Sequence, residues 1–164
     1  MAGSDKTLPE VYLQPGESHL ATEPAILRTV LGSCVGVAFW VPRWKIGALC
    51  HPMLPRLPQQ ARSTTTVAAR RRYVDVAIED MARQIDELGV PRADVKVKLF
   101  GGADVLQVVS DGSRPTVGQM NRDAADCVLA DEGLQVVASS LGGNCGIHIA
   151  FHTGTGEVLL RRLS

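Results

Sequence analysis

Long apolar runs, an excess of either charge and a leader-like start are all missing from this chain. No apolar stretch approaches the roughly eighteen residues that a bilayer-spanning helix needs, so direct membrane insertion is not expected. Seventeen basic and seventeen acidic residues cancel. A neutral chain offers no general electrostatic reason to bind nucleic acid. The opening Met1-Ala2-Gly3-Ser4-Asp5 has neither a basic segment nor an apolar one. It does not read as a secretory signal, and the cytoplasm is the expected compartment. A CxxC pair is absent too. Cys34, Cys50, Cys127 and Cys145 are widely spaced and suggest no disulfide framework. Cys50 and His51 are adjacent, so in a strand they face opposite ways, and no ligand pair has the usual short zinc spacing. No metal is expected.

What is present fits one globular domain. The 164 residues are 45% apolar and 21% charged, enough to bury a core. Residues 1–24 hold Pro9, Pro15, Gly16 and Pro24 with little periodicity. They are expected to be loosely ordered, with Tyr12 and Leu13 at most adding an edge strand, ahead of a folded domain over 25–164.

The chemistry concentrates at Leu31-Gly32-Ser33-Cys34-Val35-Gly36-Val37 and Cys50-His51-Pro52-Met53-Leu54-Pro55. Between them run two apolar segments, Val35 to Val41 and Ile46 to His51, joined by the polar Pro42-Arg43-Trp44-Lys45. That is a β-hairpin pattern. If Val41 pairs with Ile46, Gly36 lies opposite His51 and Cys34 opposite Met53. Cys34 and His51 are then diagonal neighbours on one face, with backbones roughly 7–8 Å apart, and a tighter loop would put them directly opposite. Two readings of the pair stand: a small core thiol with a satisfied strand-end histidine, or a nucleophile with its base. Gly32 and Ser33 favour the second, because a sharp turn there presents N–H groups near Cys34, as an oxyanion site requires. Cys50 should point away from Cys34 by alternation and reads as core.

Elsewhere the pattern is that of an α+β fold. Ala25 to Leu31 reads as a strand, and 51–66 as a long irregular loop, either substrate-facing or a plain connector. From about Thr66 to Leu88, apolar residues at Val74, Ala77, Ile78, Met81, Ile85 and Leu88 make one stripe of a long helix, stopped by Gly89 and Pro91. Arg70-Arg71-Arg72 reads as its solvated face. Val95, Val97 and Leu99 alternate with Lys96 and Lys98 as a half-buried strand, leading into Phe100-Gly101-Gly102-Ala103. A turn is expected at 111–115. Asn121 is placed to cap a second helix running to about Glu132. Leu134 to Ala138, Ile147 to His152 and Glu157 to Leu163 read as strands, the last two joined at Thr153-Gly154-Thr155-Gly156, with His148 and His152 facing solvent.

Thr29, Leu31-Gly32-Ser33-Cys34-Val35, Ile46-Gly47, His51-Pro52-Met53-Leu54-Pro55, Tyr73-Val74-Asp75-Val76-Ala77-Ile78, Phe100-Gly101-Gly102-Ala103, Gly142-Gly143-Asn144 and Thr155-Gly156-Glu157-Val158 together resemble the CheD family, the chemoreceptor glutamine deamidases of bacterial and archaeal chemotaxis. The resemblance runs in order over about residues 25–163. It implies a layered α/β/β sandwich, two main helices on mixed and antiparallel sheet, like that of bacterial toxin deamidases. It implies that Cys34 attacks a receptor glutamine amide, that His51 moves the protons, and that backbone N–H groups around Ser33 and Cys34 hold the oxyanion. No metal or organic cofactor is implied. The third site residue would be Thr29, orienting His51, or Arg28 if the spacing is that of members with one more residue here. Ile147-His148 departs from a commonly basic position. An imidazolium partner would lower the Cys34 pKa from about 8.5 into the range of about 3.5–7.5, making it the first cysteine alkylated at mildly acidic pH. The implied partners are the cytoplasmic domains of chemoreceptors. Two other functions stay open: an adaptor that binds and stimulates a CheC-type phosphatase, and a general thiol hydrolase or peptidase.

Overall fold

Strand alternation decides which residues of the central hairpin face which layer. The computed structural model describes residues 7–105 and 114–164. β4 (Val35–Val41) and β5 (Ile46–Cys50) pair antiparallel with Val41 opposite Ile46, the first of the two registers open to the short polar loop. Pro42–Trp44 makes the turn as a single 3-10 segment. Val35, Val37, Phe39 and Val41 point to one side, and Ala38 and Trp40 to the other. On β5, Ile46, Ala48 and Cys50 share the first side while Leu49 lies on the second.

The first side is covered by helices. α2 (Val74–Glu87) and α3 (Val117–Asp131) lay Ala77, Ile78, Met81, Ile85, Ala125, Val128 and Leu129 against β4, β5 and β6 (Lys96–Gly101). The second side meets another sheet. There Leu27 and Leu31 of β3 (Ile26–Leu31), with Ile149 and Phe151 of β8 (Ile147–His152), pack against Ala38, Leu49 and Phe100. Adding β1 (Glu10–Tyr12), β2 (Ser18–Ala21), β7 (Gln135–Leu141) and β9 (Val158–Arg162) gives sheet orders β2-β5-β4-β6-β7 and β1-β3-β8-β9. Pairs β1–β3 and β6–β7 are parallel and the rest antiparallel. The result is an α+β domain of three layers, helices on sheet on sheet.

Three expectations need correction. Residues 10–21 are not loose: β1 adds to one sheet and β2 to the other, because the apolar Leu13 and Ala21 are buried between them. The long helix from Thr66 to Leu88 is two helices. α1 (Val67–Arg70), capped by the Thr66 hydroxyl accepting from the Ala69 N–H, ends before Tyr73, and α2 restarts at Val74. The break exists because the Arg72 carbonyl turns out of the helix to accept the N–H groups of Met53 and Leu54. Asn121 does not cap α3; Thr116 does, accepting from the Gln119 N–H, and Asn121 lies buried inside the helix. Of the turn expected at 111–115, residues 111–113 lie outside the described residues.

The 51–66 loop is pinned rather than a slack connector. The buried Asp75 carboxylate accepts from the Leu57 N–H at 3.1 Å and from the Arg62 guanidinium at 2.8 Å. Replacing Asp75 by Ala strands a buried N–H and should cost about 1–3 kcal/mol. Urea unfolding would measure that loss, and limited proteolysis should show faster cleavage within 56–66. Unchanged cleavage would mean that the loop is held by something else.

Candidate active site

Cys34 immediately precedes β4 and His51 immediately follows β5, so both sit at the same end of the hairpin. The ladder runs one step past the strands, where the Val35 N–H donates to the Pro52 carbonyl at 3.3 Å. By alternation His51 follows Leu49 onto the side facing the second sheet, and Cys34 packs against the same inter-sheet cluster. Across the gap, Thr29 lies on β3 between the inward-facing Leu27 and Leu31. Thr29 and His51 are both buried; Cys34 is half-buried.

The Thr29 Oγ1 lies 2.7 Å from His51 Nδ1 and 2.8 Å from the Leu13 carbonyl oxygen. A hydroxyl has one proton and a carbonyl can only accept. The Thr29 proton therefore goes to Leu13, and Oγ1 accepts from an Nδ1–H. This assigns the tautomer: Nε2 carries the lone pair, and it is buried with no hydrogen-bond partner among the described residues. Such a nitrogen is a base awaiting a proton.

His51 is also gripped by its backbone. Its N–H donates to the Glu17 carbonyl at 2.9 Å, and its carbonyl accepts from the Gly16 N–H at 2.7 Å. The segment expected to be loose thus supplies three of the bonds around the base, counting Leu13. Arg28 points elsewhere and pairs with Glu10 at 3.0 Å on the exposed side of β3. Of the two candidates for the third position, strand parity puts Thr29 beside His51 and turns Arg28 to the other face.

The turn at Cys34 rests on the glycine loop after β6. The Gly102 N–H donates to the Cys34 carbonyl at 2.7 Å, and the Ala103 N–H to the Gly32 carbonyl at 2.9 Å. Gly101 has φ +88°, and a Cβ there would run into the Cys34 carbonyl oxygen. No other residue takes that conformation so cheaply. From α3, the Asn121 Nδ2 donates to the Ser33 carbonyl at 2.9 Å and to the Met53 carbonyl at 3.0 Å. Among the described residues no backbone carbonyl takes the N–H of Ser33 or Cys34. Sequence reasoning missed Leu13, Glu17 and Asn121. The available signal for Asn121 was a poor helix former inside a helix with an apolar stripe.

The electrostatics contradict the expected ion pair. Burial pushes the His51 imidazole down to about 4, with the Glu17 carboxylate opposing weakly. Burial also pushes the Cys34 thiol up, with its own backbone N–H opposing. Both groups are neutral at rest, and no hydrogen bond joins His51 Nε2 to the sulfur. These directions run against a preference of alkylation for Cys34 at mildly acidic pH, which brief iodoacetamide labelling decides, since a protonated thiol is slow. Cys50 is core as expected, fully buried with its thiol pushed up to about 12. Among the described residues no group of three or more His, Cys, Asp or Glu side chains could hold a metal, and no helix is long and apolar enough to cross a membrane.

The geometry defines a class: an α/β/β domain carrying a thiol at the inter-sheet rim with a hydroxyl-oriented imidazole at the same end of the hairpin. A family model described as CheD chemotactic sensory transduction matches residues 53–162. A protein of Geobacter sulfurreducens named as a probable chemoreceptor glutamine deamidase, CheD 2, is 43% identical over all of this chain and 96% of its own length. Proteins so named from Maridesulfovibrio salexigens and Archaeoglobus fulgidus are each 34% identical, over 99% and 93% of this chain and 97% and 92% of their own. The chain belongs to the CheD family. YfiH of Bacillus licheniformis aligns at a TM-score of 0.49 and 12% identity over 83% of this chain and 61% of its own, too remote to carry a conclusion.

The depressed imidazole has a consequence for folding. Above pH 6.5 His51 is neutral whether folded or unfolded. Between pH 6.5 and about 4 the unfolded chain takes a proton that the folded site refuses, so stability falls as pH falls. The loss expected from this one group is on the order of 3 kcal/mol across that window. Urea unfolding at several pH values, with His51→Gln as reference, should show the slope in the native chain and not in the variant. Equal slopes would place the imidazole in a more polar setting than the structure does.

Proposed function

We propose that this protein deamidates glutamine side chains of methyl-accepting chemoreceptors, releasing ammonia and leaving glutamate, through a thioester on Cys34. The observation that carries the reading is the Thr29 hydroxyl fixing His51 with its Nε2 bare, in a chain 43% identical to a named glutamine deamidase. As Cys34 Sγ attacks the amide carbon, its proton passes to His51 Nε2 and the carbonyl oxygen becomes an oxyanion. N–H groups at Ser33 and Cys34 are the donors for that oxyanion. The imidazolium then protonates the departing nitrogen, which leaves as ammonia. Neutral His51 next takes a proton from water, hydroxide adds to the thioester, and thiolate leaves and recovers the proton. None of these steps calls for a cofactor. The cytoplasm, where receptor signalling domains stand, is the compartment that fits.

A role as an adaptor stimulating a CheC-type phosphatase is the second reading. An adaptor needs no buried base with an assigned tautomer, so the geometry favours the enzyme. A general thiol hydrolase or peptidase would share the chemistry, and the family membership weighs against it. Incubation with a receptor cytoplasmic domain, followed by peptide mass mapping for amide-to-acid conversion, separates the three.

Cys34→Ala and His51→Ala should each abolish conversion while the domain stays folded, because members of one catalytic unit fail together. Near-native turnover in either would overturn the assignment. Thr29→Ala should lower turnover by roughly 5- to 150-fold, the effect of about 1–3 kcal/mol of lost orientation, while Arg28→Ala changes it little. The reverse ranking in steady-state kinetics would show that the third residue is misplaced. The acidic limb of kcat/KM should lie near pH 4, following a neutral base with a depressed pKa, rather than near 6.5.

A further inference from the structure

The nucleophile and the base arrive on different segments, and few bonds join those segments directly. Residues 32–34 are held from the glycine loop, through the Gly102 and Ala103 N–H groups. Residues 51–53 are held from the other side, by Gly16 and Glu17 at His51 and by the Arg72 carbonyl accepting the Met53 N–H at 2.7 Å. Between the two segments the backbone contributes only the long Val35-to-Pro52 bond at 3.3 Å among the described residues. The Asn121 side chain, wholly buried, spans the same gap with one nitrogen: 2.9 Å to the Ser33 carbonyl and 3.0 Å to the Met53 carbonyl.

We propose that Asn121 is a positioning residue for the reaction: its amide ties the Cys34 turn to the His51 segment and aims the Cys34 N–H at the oxyanion. The inference rests on Cys34 and His51 acting as nucleophile and base. Two carbonyl acceptors on the same atom settle the orientation of the amide, since an oxygen there would face two oxygens. In a trans peptide the carbonyl and the following N–H point in opposite directions. Holding the Ser33 carbonyl toward α3 therefore turns the Cys34 N–H away from α3. A carbonyl that accepts a bond also makes its own N–H a stronger donor.

The other end of the amide sharpens the point. The Asn121 Oδ1 is buried with no partner among the described residues. A side chain that only filled space would not carry an unpaired oxygen into the core, where it is costly. A leucine of similar size would remove that cost and lose only the two donated bonds. The donor function is what distinguishes asparagine at this position.

The test uses the full chain with Asn121→Leu, and Asn121→Ser as a milder variant that retains a single donor. Deamidation of a receptor cytoplasmic fragment is followed by mass at a temperature where every variant is folded by circular dichroism. Asn121→Leu should lower kcat about 10- to 100-fold, the usual effect of displacing a reacting group by about an ångström. KM should change little, because no substrate contact is removed, and the serine variant should fall between. The second arm needs no receptor: acyl labelling of Cys34 at pH 8 by p-nitrophenyl acetate, whose carbonyl can occupy the oxyanion position, read by peptide mass in a cycle with His51→Gln. His51→Gln should slow labelling in the native background and have no further effect once Asn121 is Leu. A kcat within about threefold of native, or an equal His51 effect in both backgrounds, overturns the proposal. If the native chain converts no receptor glutamine yet the labelling cycle shows the coupling, the substrate assignment falls and the tether stands. If His51 has no influence on Cys34 labelling in the native chain, the pair and the tether fall together.

Discussion

One proton on the Thr29 hydroxyl sets the state of the whole site. It can go only to the Leu13 carbonyl, because a carbonyl oxygen at 2.8 Å has nothing to donate. With that bond made, the hydroxyl must accept from His51, and the imidazole is left with a free lone pair on Nε2. The rest of the N-terminal segment serves this arrangement. β1 delivers Leu13 beside β3, and the turn into β2 closes over His51 through Gly16 and Glu17. Remove that segment and the hydroxyl has no fixed acceptor, so either tautomer becomes available to the ring.

The layering explains why these residues can meet at all. In a two-sheet sandwich the inward faces of facing strands share one core, so a residue on β3 and one just past β5 approach each other without any loop to bring them together. The same alternation sends Cys50 to the helix side, one residue and one layer away from His51. Two adjacent residues of similar chemical promise therefore have unrelated fates. Cys34 holds its half-exposed place at the rim because Gly101 lets the glycine loop close on the Cys34 carbonyl, and Gly118 lets α3 close on the same loop. That crowding is possible only where side chains are absent.

Much of this could be read before any coordinates. Two apolar runs around a four-residue polar loop left two registers for β4 and β5, since period-two alternation punishes any one-residue slip, and the structure takes the one with Val41 opposite Ile46. The stripe on α2 and the alternation in β6 were equally plain. The misses have a common physical cause, which is that they depend on partners distant in sequence. The helix break at residues 71–73 comes from the Arg72 carbonyl serving Met53 and Leu54. The ordering of residues 10–21 comes from strands far along the chain. Asn121 looked like a cap because asparagine usually is one, and only the positions of Ser33 and Met53 reveal what its amide does. The charge state of the Cys34–His51 pair is where burial runs most strongly against the sequence reading. Residue types at a spacing announce a thiol and an imidazole, but burial decides whether they exchange a proton at rest.

That resting neutrality changes how the chemistry must run. An ion pair in the gap would place two charges where burial disfavours each of them, and the pair lacks the direct hydrogen bond that would offset the desolvation. In the proposed deamidation the proton then leaves sulfur in company with attack, when the developing negative charge is already passing to the amide oxygen and its N–H donors. The imidazolium formed at that moment keeps the Thr29 oxygen at Nδ1 and gains the oxyanion it faces, which the empty site does not offer. The base that is weak in isolation becomes adequate only once a carbonyl occupies the oxyanion position. Catalytic power in this arrangement resides in the geometry of Thr29, His51 and the Cys34 turn, more than in the nucleophilicity of a preformed thiolate.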